Sequence, residues 1–196
     1  MVGPGKPAGN EPLDAVLVAA SGCGHTMKLY GQILENCQAF AAQVRDVQEF
    51  LSELGLSDTF TTRLQPLHHA DGVPATAERP LAVAYHDACH MLHGQGISAE
   101  PRALLRQIPH LQLKEPLEAG VCCGSAGIYN LVQPAEAATL GRLKADDLAS
   151  TAAGVVASAN IGCTLQIRRH LQEAGHHQMV AHPMQLLAQS ADLSRG

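Results

Sequence analysis

Short apolar runs that close on glycine-containing turns, each followed by a stripe of apolar residues at helical spacing, recur along the chain. They predict parallel strands joined by helices. Ala15 to Ala20 (AVLVAA) is the first run; Ser-Gly-Cys-Gly follows as a tight turn, and Met27, Tyr30 and Leu34 place a helix over His25 to Glu35. Phe40, Val44, Val47 and Leu51 share one stripe and predict a second helix from Gln38 to about Leu54, closed by Gly55. Leu81 to Asp87 (LAVAYHD) reads as a buried strand that delivers Cys89 at its C-terminal end. Glu100 to Gln107 is helical and Leu111 to Leu113 a short strand. Pro134 to about Ser150 is the strongest helix, with Pro134 at a first position, Glu136 at the positive end of the dipole, and Ala137, Leu140, Leu143 and Leu148 as its apolar face. The strand-to-turn pattern returns in GVVASANIGC, which ends at Cys163; a helix from about Thr164 to Glu173, a strand from Gln178 to Ala181 and a last helix after His182-Pro183 follow.

One internal echo organises these elements. If Cys23 is laid on Cys163, Ala15-Val16-Leu17 falls on Val155-Val156-Ala157, Gly22 on Gly162 and Lys28 on Arg168. Two units of one design are implied, in an α/β, two-lobed fold of small, mostly parallel sheets flanked by helices, whose sites form outside the strand C-termini. The expected organisation is a flexible Gly/Pro-rich leader over residues 1–14, an incomplete first unit over 15–56, a linker over 57–80 and a complete second unit over 81–191.

Composition narrows the partners. The chain has 196 residues, 46% of them apolar, enough for a hydrophobic core without disulfide staples. No apolar run reaches the roughly 20 residues of a spanning helix, and the N-terminus has no secretory signal pattern. A net charge of −5 with interspersed signs offers no basic stripe, so nucleic acid is not an expected partner. Six cysteines without an export signal point to a reducing compartment, where thiols bind metal or do chemistry.

Cys89, thirty-two intervening residues, Cys122-Cys123, thirty-nine more beginning with Gly124 and then Cys163 form the candidate site. Disulfide geometry is strained between adjacent cysteines, so Cys122 and Cys123 read better as two ligands of one object. Gly120, Gly124, Gly127 and Gly162 would let backbone pass close to a bulky centre. Four thiolates suit an iron–sulfur cluster; they would also suit zinc, but structural zinc sites draw on Cys-x2–4-Cys knuckles, and this set has none.

Cys89, Cys122-Cys123-Gly124 and Asn160-Ile-Gly-Cys163 resemble one copy of the cysteine-rich CCG motif, whose last element is ordinarily Cys-x-x-Cys; Asn160 stands at its first position here. The phrases AASGCGHTMKLYGQIL, AYHDACHMLHGQGI and AGVCCGSAGIYNLVQP are similar to the glycolate oxidase iron–sulfur subunit family, over nearly all of Val16 to Gln189. The resemblance implies a truncated subunit, a split gene product or a fragment, with only Cys23 left of a first CCG copy and the strand at Ala15 to Ala20 presenting an unpaired apolar edge. It implies a cluster of the [4Fe–4S] type on Cys89, Cys122, Cys123 and Cys163, and no catalytic residue of the chain's own. The implied partners are FAD-containing glycolate oxidase subunits and a separate ferredoxin-like component with two [4Fe–4S] clusters. Electrons would pass from flavin toward a membrane acceptor, in a cytoplasmic protein associated peripherally with the inner face of the membrane through its complex. The alternatives are a cofactor-free, partner-binding CCG lobe and a thiol–disulfide module using Cys122-Cys123.

The remaining candidates have simpler expectations. Cys23 lacks partners for a cluster and Cys37 reads as a small core residue. His86, His90 and His93 flank Cys89 and are either hydrogen-bonded structural groups or tuners or ligands of a metal. Asp87 is expected to cap the following helix or orient His90. Lys28 and Arg168 are expected to offset thiolate charge or to lie exposed on helices.

Overall fold

The computed structural model describes residues 13–191; the leader expected over residues 1–14 lies almost wholly outside them. The architecture is α/β, with two small parallel sheets flanked by helices. Strands β1 (Val16–Val18) and β2 (Val44–Asp46) pair in parallel. Strands β3 (Leu81–His86), β4 (Leu111–Lys114), β5 (Val155–Ser158) and β6 (Met179–Ala181) form a second parallel sheet in the order β4-β3-β5-β6.

Alternation along the two central strands sorts the core into two layers. Val83 and Tyr85 of β3 and Val155 and Ala157 of β5 pack with Leu105, Ile108, Leu186 and Leu187 on one face. Ala84 and Val156 pack on the other with Met91, Leu148, Ile167, Leu171, Cys123 and Cys163. Residues 57–80 contain one helical turn, Asp58–Thr61, capped by the Ser57 hydroxyl. Leu64, Leu67 and Ala75 from this stretch bury in the first layer, and Ser190 Oγ donates to the Gln65 carbonyl at 2.7 Å.

Two expected elements differ. The helix predicted from Gln38 to Leu54 is broken into helix Gln38–Gln43, strand β2 and helix Val47–Leu54. The first ends where the backbone turns extended at Val44, and Asp46 starts the second: its carboxylate accepts from Gln48 N–H at 2.8 Å, while Glu49 Oε2 accepts from Asp46 N–H at 3.1 Å. The apolar stripe ran through the break although Val44 is fully buried on β2 and Val47, at the start of the next helix, is only half-buried. On the Pro134–Ser150 helix, Leu143 is 60% exposed, whereas Lys144 is buried among Ala137, Gly141, Ala145 and Leu148. The glycine-containing turns after β1 and β5 are themselves first helical turns, of Ser21–Lys28 and Ile161–Glu173.

The internal echo is structural. Strand β1, three short helices, strand β2 and the capped helix Val47–Leu54 correspond to β5, the single helix Ile161–Glu173, β6 and the capped helix Pro183–Ser190. Asp46 and His182 are the corresponding caps, each with a capping box. The two units meet at their strand C-termini: Ser21 N–H donates to Ala159 O at 3.2 Å, His182 Nε2 to Ala19 O at 2.8 Å, and Gln95 Nε2 to Ser21 O at 3.0 Å. His182 Nδ1 accepts from Met184 N–H at 3.1 Å, which fixes the ring as the neutral Nε2–H tautomer. Among the described residues β1 pairs with β2 alone, and Leu17 at its centre is 48% exposed.

Candidate metal centre

The second sheet brings three separated parts of the chain to one place. Cys89 opens the helix after β3, and Cys163 sits in the first turn of the helix after β5, where the dipole favours a thiolate. Cys122 and Cys123 arrive on the loop between β4 and the Tyr129–Val132 helix. Gly124 follows them at φ 82°, and a Cβ there would strike the Ala137 carbonyl, so glycine alone lets the loop pass the Pro134–Ser150 helix this closely.

The four sulfurs interact pairwise in a chain, Cys89 with Cys122, Cys122 with Cys123 and Cys123 with Cys163. Thiol protons of Cys123 and Cys89 hold Cys122 far below the usual thiol range, helped by the Gly124 N–H that donates to its sulfur at 3.3 Å. Cys123 likewise draws Cys163 down to about 5 against the cost of burial, with the His86 ring and the Asn160 amide adding to the effect. Cys89 is pushed up by Cys122 and by burial, and Cys123 by Cys122, Cys163 and burial. Along this chain of sulfurs the shifts alternate in direction.

His86, Cys123 and Cys163 are all buried, and one ligand atom from each lies within 4.8 Å of the other two. Neither His86 ring nitrogen bonds an oxygen or nitrogen of the protein; the group the ring approaches is the Cys163 sulfur. This differs from the hydrogen-bonded structural role expected of a strand-end histidine, a role that His93 does take, through Nε2 to Gly120 O at 3.2 Å. His90 stacks on His25, with ring centroids 5.6 Å apart, across the junction of the two units.

Several expected assistants act elsewhere. Asp87 neither caps the Cys89–Gln95 helix nor orients His90: Arg102 grips it with two bonds, at 2.9 and 2.7 Å, while stacking over Tyr85 and holding Glu115. Lys28 pairs with Glu49 at 2.7 Å and Arg168 donates to Val180 O at 3.0 Å, so neither offsets thiolate charge. Cys23 is exposed, and Cys37 is half-buried rather than a core residue.

Other contributors were hidden in the sequence. Buried Lys144 Nζ donates to the Glu118 carbonyl while Asp147 accepts from Glu118 N–H at 3.1 Å, clamping the loop that leads to Cys122. A charged residue between apolar helix neighbours was the only signal. Asn160 donates to Cys163 Sγ at 3.4 Å and accepts from Gly22 N–H at 3.4 Å, tying the site to the first unit. A cavity of about 570 Å³ opens beside this bridge, lined by Cys23, His90, Ser125, Asn160 and Gly162 among others. A larger one, of about 1040 Å³, is lined by Arg63, Leu67 and Gln189 among others and contains no thiol.

The sequence that carries these sulfurs has known relatives. Residues 83–168 match the Cysteine-rich domain family, CCG. They form a CCG cysteine-rich domain. The chain is 32% identical over 170 residues to the probable glycolate oxidase iron–sulfur subunit of Bacillus subtilis, covering 83% of this chain and 35% of that protein. It is 32% identical over 186 residues to the glycolate oxidase iron–sulfur subunit of Escherichia coli, with 95% and 42% covered. It is 31% identical over 169 residues to a subunit of the fumarate reductase (CoM/CoB) of Methanothermobacter marburgensis, with 84% and 30% covered. The chain therefore spans between about a third and two fifths of the length of these relatives. The relation is at the level of the family, to iron–sulfur subunits of oxidases and reductases, and does not single out glycolate oxidase. No helix of the described residues is long and apolar enough to cross a membrane.

Proposed function

We propose that this chain is the cysteine-rich lobe of a multi-subunit dehydrogenase or reductase, and that Cys89, Cys122, Cys123 and Cys163 hold an iron–sulfur centre in it, of the [4Fe–4S] type. The observation that carries this reading is the convergence of four thiols beside a buried imidazole that bonds no oxygen or nitrogen of the protein. These groups fit a thiolate-bound metal group, because two sulfurs are already driven toward the thiolate form that ligation requires. Such a centre supplies electron transfer when bound. The chain's own part is to present the sulfurs, bury two of them and hold the CCG loop in place through Lys144 and Asp147. In the complex, a FAD-containing subunit carries out the 2-hydroxy-acid oxidation, and a ferredoxin-like component with two [4Fe–4S] clusters continues the route toward a membrane acceptor.

A second reading, a partner-binding lobe or thiol–disulfide module without a cluster, has the more direct support. The buried metal-competent set numbers three groups, His86, Cys123 and Cys163, rather than four thiols. A thiolate beside a protonated thiol is the arrangement that exchanges disulfides. Ile128 and Leu131, shortly after the CCG loop, and Ile161 and Leu165, beside Cys163, are each more than half exposed, as a docking lobe requires. The two readings part on one experiment, anaerobic reconstitution with iron and sulfide followed by analysis of both. A brown protein with about four irons per chain, bleached by Cys123→Ser, supports the electron-transfer lobe. A colourless, folded protein whose thiols oxidise reversibly in pairs supports the second reading and refutes the first.

A further inference from the structure

His86 shares a strand face with Ala84 and, across the β3–β5 ladder, stands in register with Ser158. That face carries Cys123 and Cys163, and both His86 and Ser158 are fully buried in it. Burying an imidazole whose nitrogens are unpaired costs about 1–3 kcal/mol, so a ring in this position calls for a partner. Protein oxygens do not supply one: the Ser158 hydroxyl also has no partner, whereas His69, His93 and His182 each reach a backbone carbonyl.

The groups that do approach are sulfurs. One His86 nitrogen, Cys123 Sγ and Cys163 Sγ lie within 4.8 Å of one another. Metal–sulfur bonds of about 2.3 Å and metal–nitrogen bonds of about 2.0–2.1 Å place tetrahedral donor atoms roughly 3.5–3.8 Å apart. Closing the remaining gap takes about 1 Å, within reach of small side-chain rotations.

We propose that His86 is a direct imidazole ligand, sharing one metal ion with Cys123 and Cys163 on the buried side of the site. The centre is then a mixed nitrogen–sulfur site rather than an all-thiolate one. The site suits a single divalent ion such as Co²⁺ and does not rest on the iron–sulfur reading above: each iron of a [4Fe–4S] centre takes one protein ligand, so the two centres cannot occupy Cys123 and Cys163 together.

The test compares wild-type protein with His86→Ala and His86→Cys, each checked for folding by its thermal melt. Each is titrated anaerobically with Co²⁺ and separately reconstituted with iron and sulfide, and all samples carry ¹⁵N-labelled histidine for pulsed electron paramagnetic resonance. Wild-type protein should show sulfur-to-cobalt charge transfer and a directly coordinated histidine nitrogen. His86→Ala should lose that nitrogen and at least about tenfold in Co²⁺ affinity. His86→Cys should regain affinity without the nitrogen. Unchanged Co²⁺ affinity in His86→Ala, or a nitrogen coupling that survives in it, overturns the assignment. An iron–sulfur centre without any coordinated nitrogen overturns it while leaving the iron–sulfur reading intact. Nitrogen-coordinated Co²⁺ in protein that assembles no iron–sulfur centre supports the assignment and sinks the iron–sulfur reading instead.

Discussion

The two repeated units present a cysteine at the same place, the first turn of a helix that follows a parallel strand, yet Cys23 is exposed while Cys163 is buried against Cys123 and His86. Backbone design therefore fixes where a sulfur stands but does not make a site of it. The difference lies in the neighbours. Strand β5 has β3 beside it, delivering His86 and Cys89, and the Pro134–Ser150 helix holds the CCG loop above it. Among the described residues β1 has only β2, and Cys23 shares a cavity with Ser125 and Asn160 but with no second thiol.

The comparison breaks most visibly in packing. Leu148→Ala empties a fully buried position in the layer beneath the thiols and should cost about 2–5 kcal/mol in urea unfolding, whereas Leu17→Ala, half-exposed in the first unit, should cost no more than about 0.5 kcal/mol. Similar losses at both positions would show that β1 is covered as fully as β5. Arg102→Met leaves the Asp87 carboxylate buried and unpaired at the end of β3 and should destabilise by about 3–5 kcal/mol, with Asp87→Asn in the same background recovering much of it. An additive double variant would contradict the pairing.

The smallest expected effect lies at the junction of the units. Burial lowers the His182 pKa below its ordinary 6.5, only partly offset by its bond to Ala19 and by Asp46. The unfolded chain then takes the proton more readily than the folded one, so stability falls as pH drops through the window just below 6.5. Protonation also sets an Nδ1 proton against the Met184 N–H that this nitrogen accepts from. Burial raises Asp46 above 3.8, so its contribution has the opposite sign, stability rising as pH falls through the window just above that value. Hydrogen exchange in the Ser21–Lys28 helix should quicken across the upper window and lose that step in His182→Asn, which keeps a capping side chain.

Much of this was legible in the sequence because short strands, glycine-containing turns and apolar stripes are local signals. The parallel α/β design, the echo of Cys23 on Cys163 and the Pro134–Ser150 helix all follow from them. Strand β2 was not legible, since Val44 and Val47 keep helical spacing across the break where the backbone turns extended at Val44, before Asp46 and Glu49 cap the next helix. The partners of Asp87 and the buried face carrying Lys144 depend on contacts between distant segments, Arg102 with Asp87 and Lys144 with Glu118, that no local period encodes. His86 could be named only as a neighbour of Cys89. Its lack of an oxygen or nitrogen partner is a property of the packed layer.

The central claim is that the second unit's neighbours, and not its backbone design, create a metal centre. It is tested most directly by counting iron and sulfide in anaerobically reconstituted Cys163→Ser and Cys23→Ser proteins. Wild-type iron in Cys23→Ser with almost none in Cys163→Ser is the predicted result. Equal iron in the two variants, whether full or absent, would contradict it.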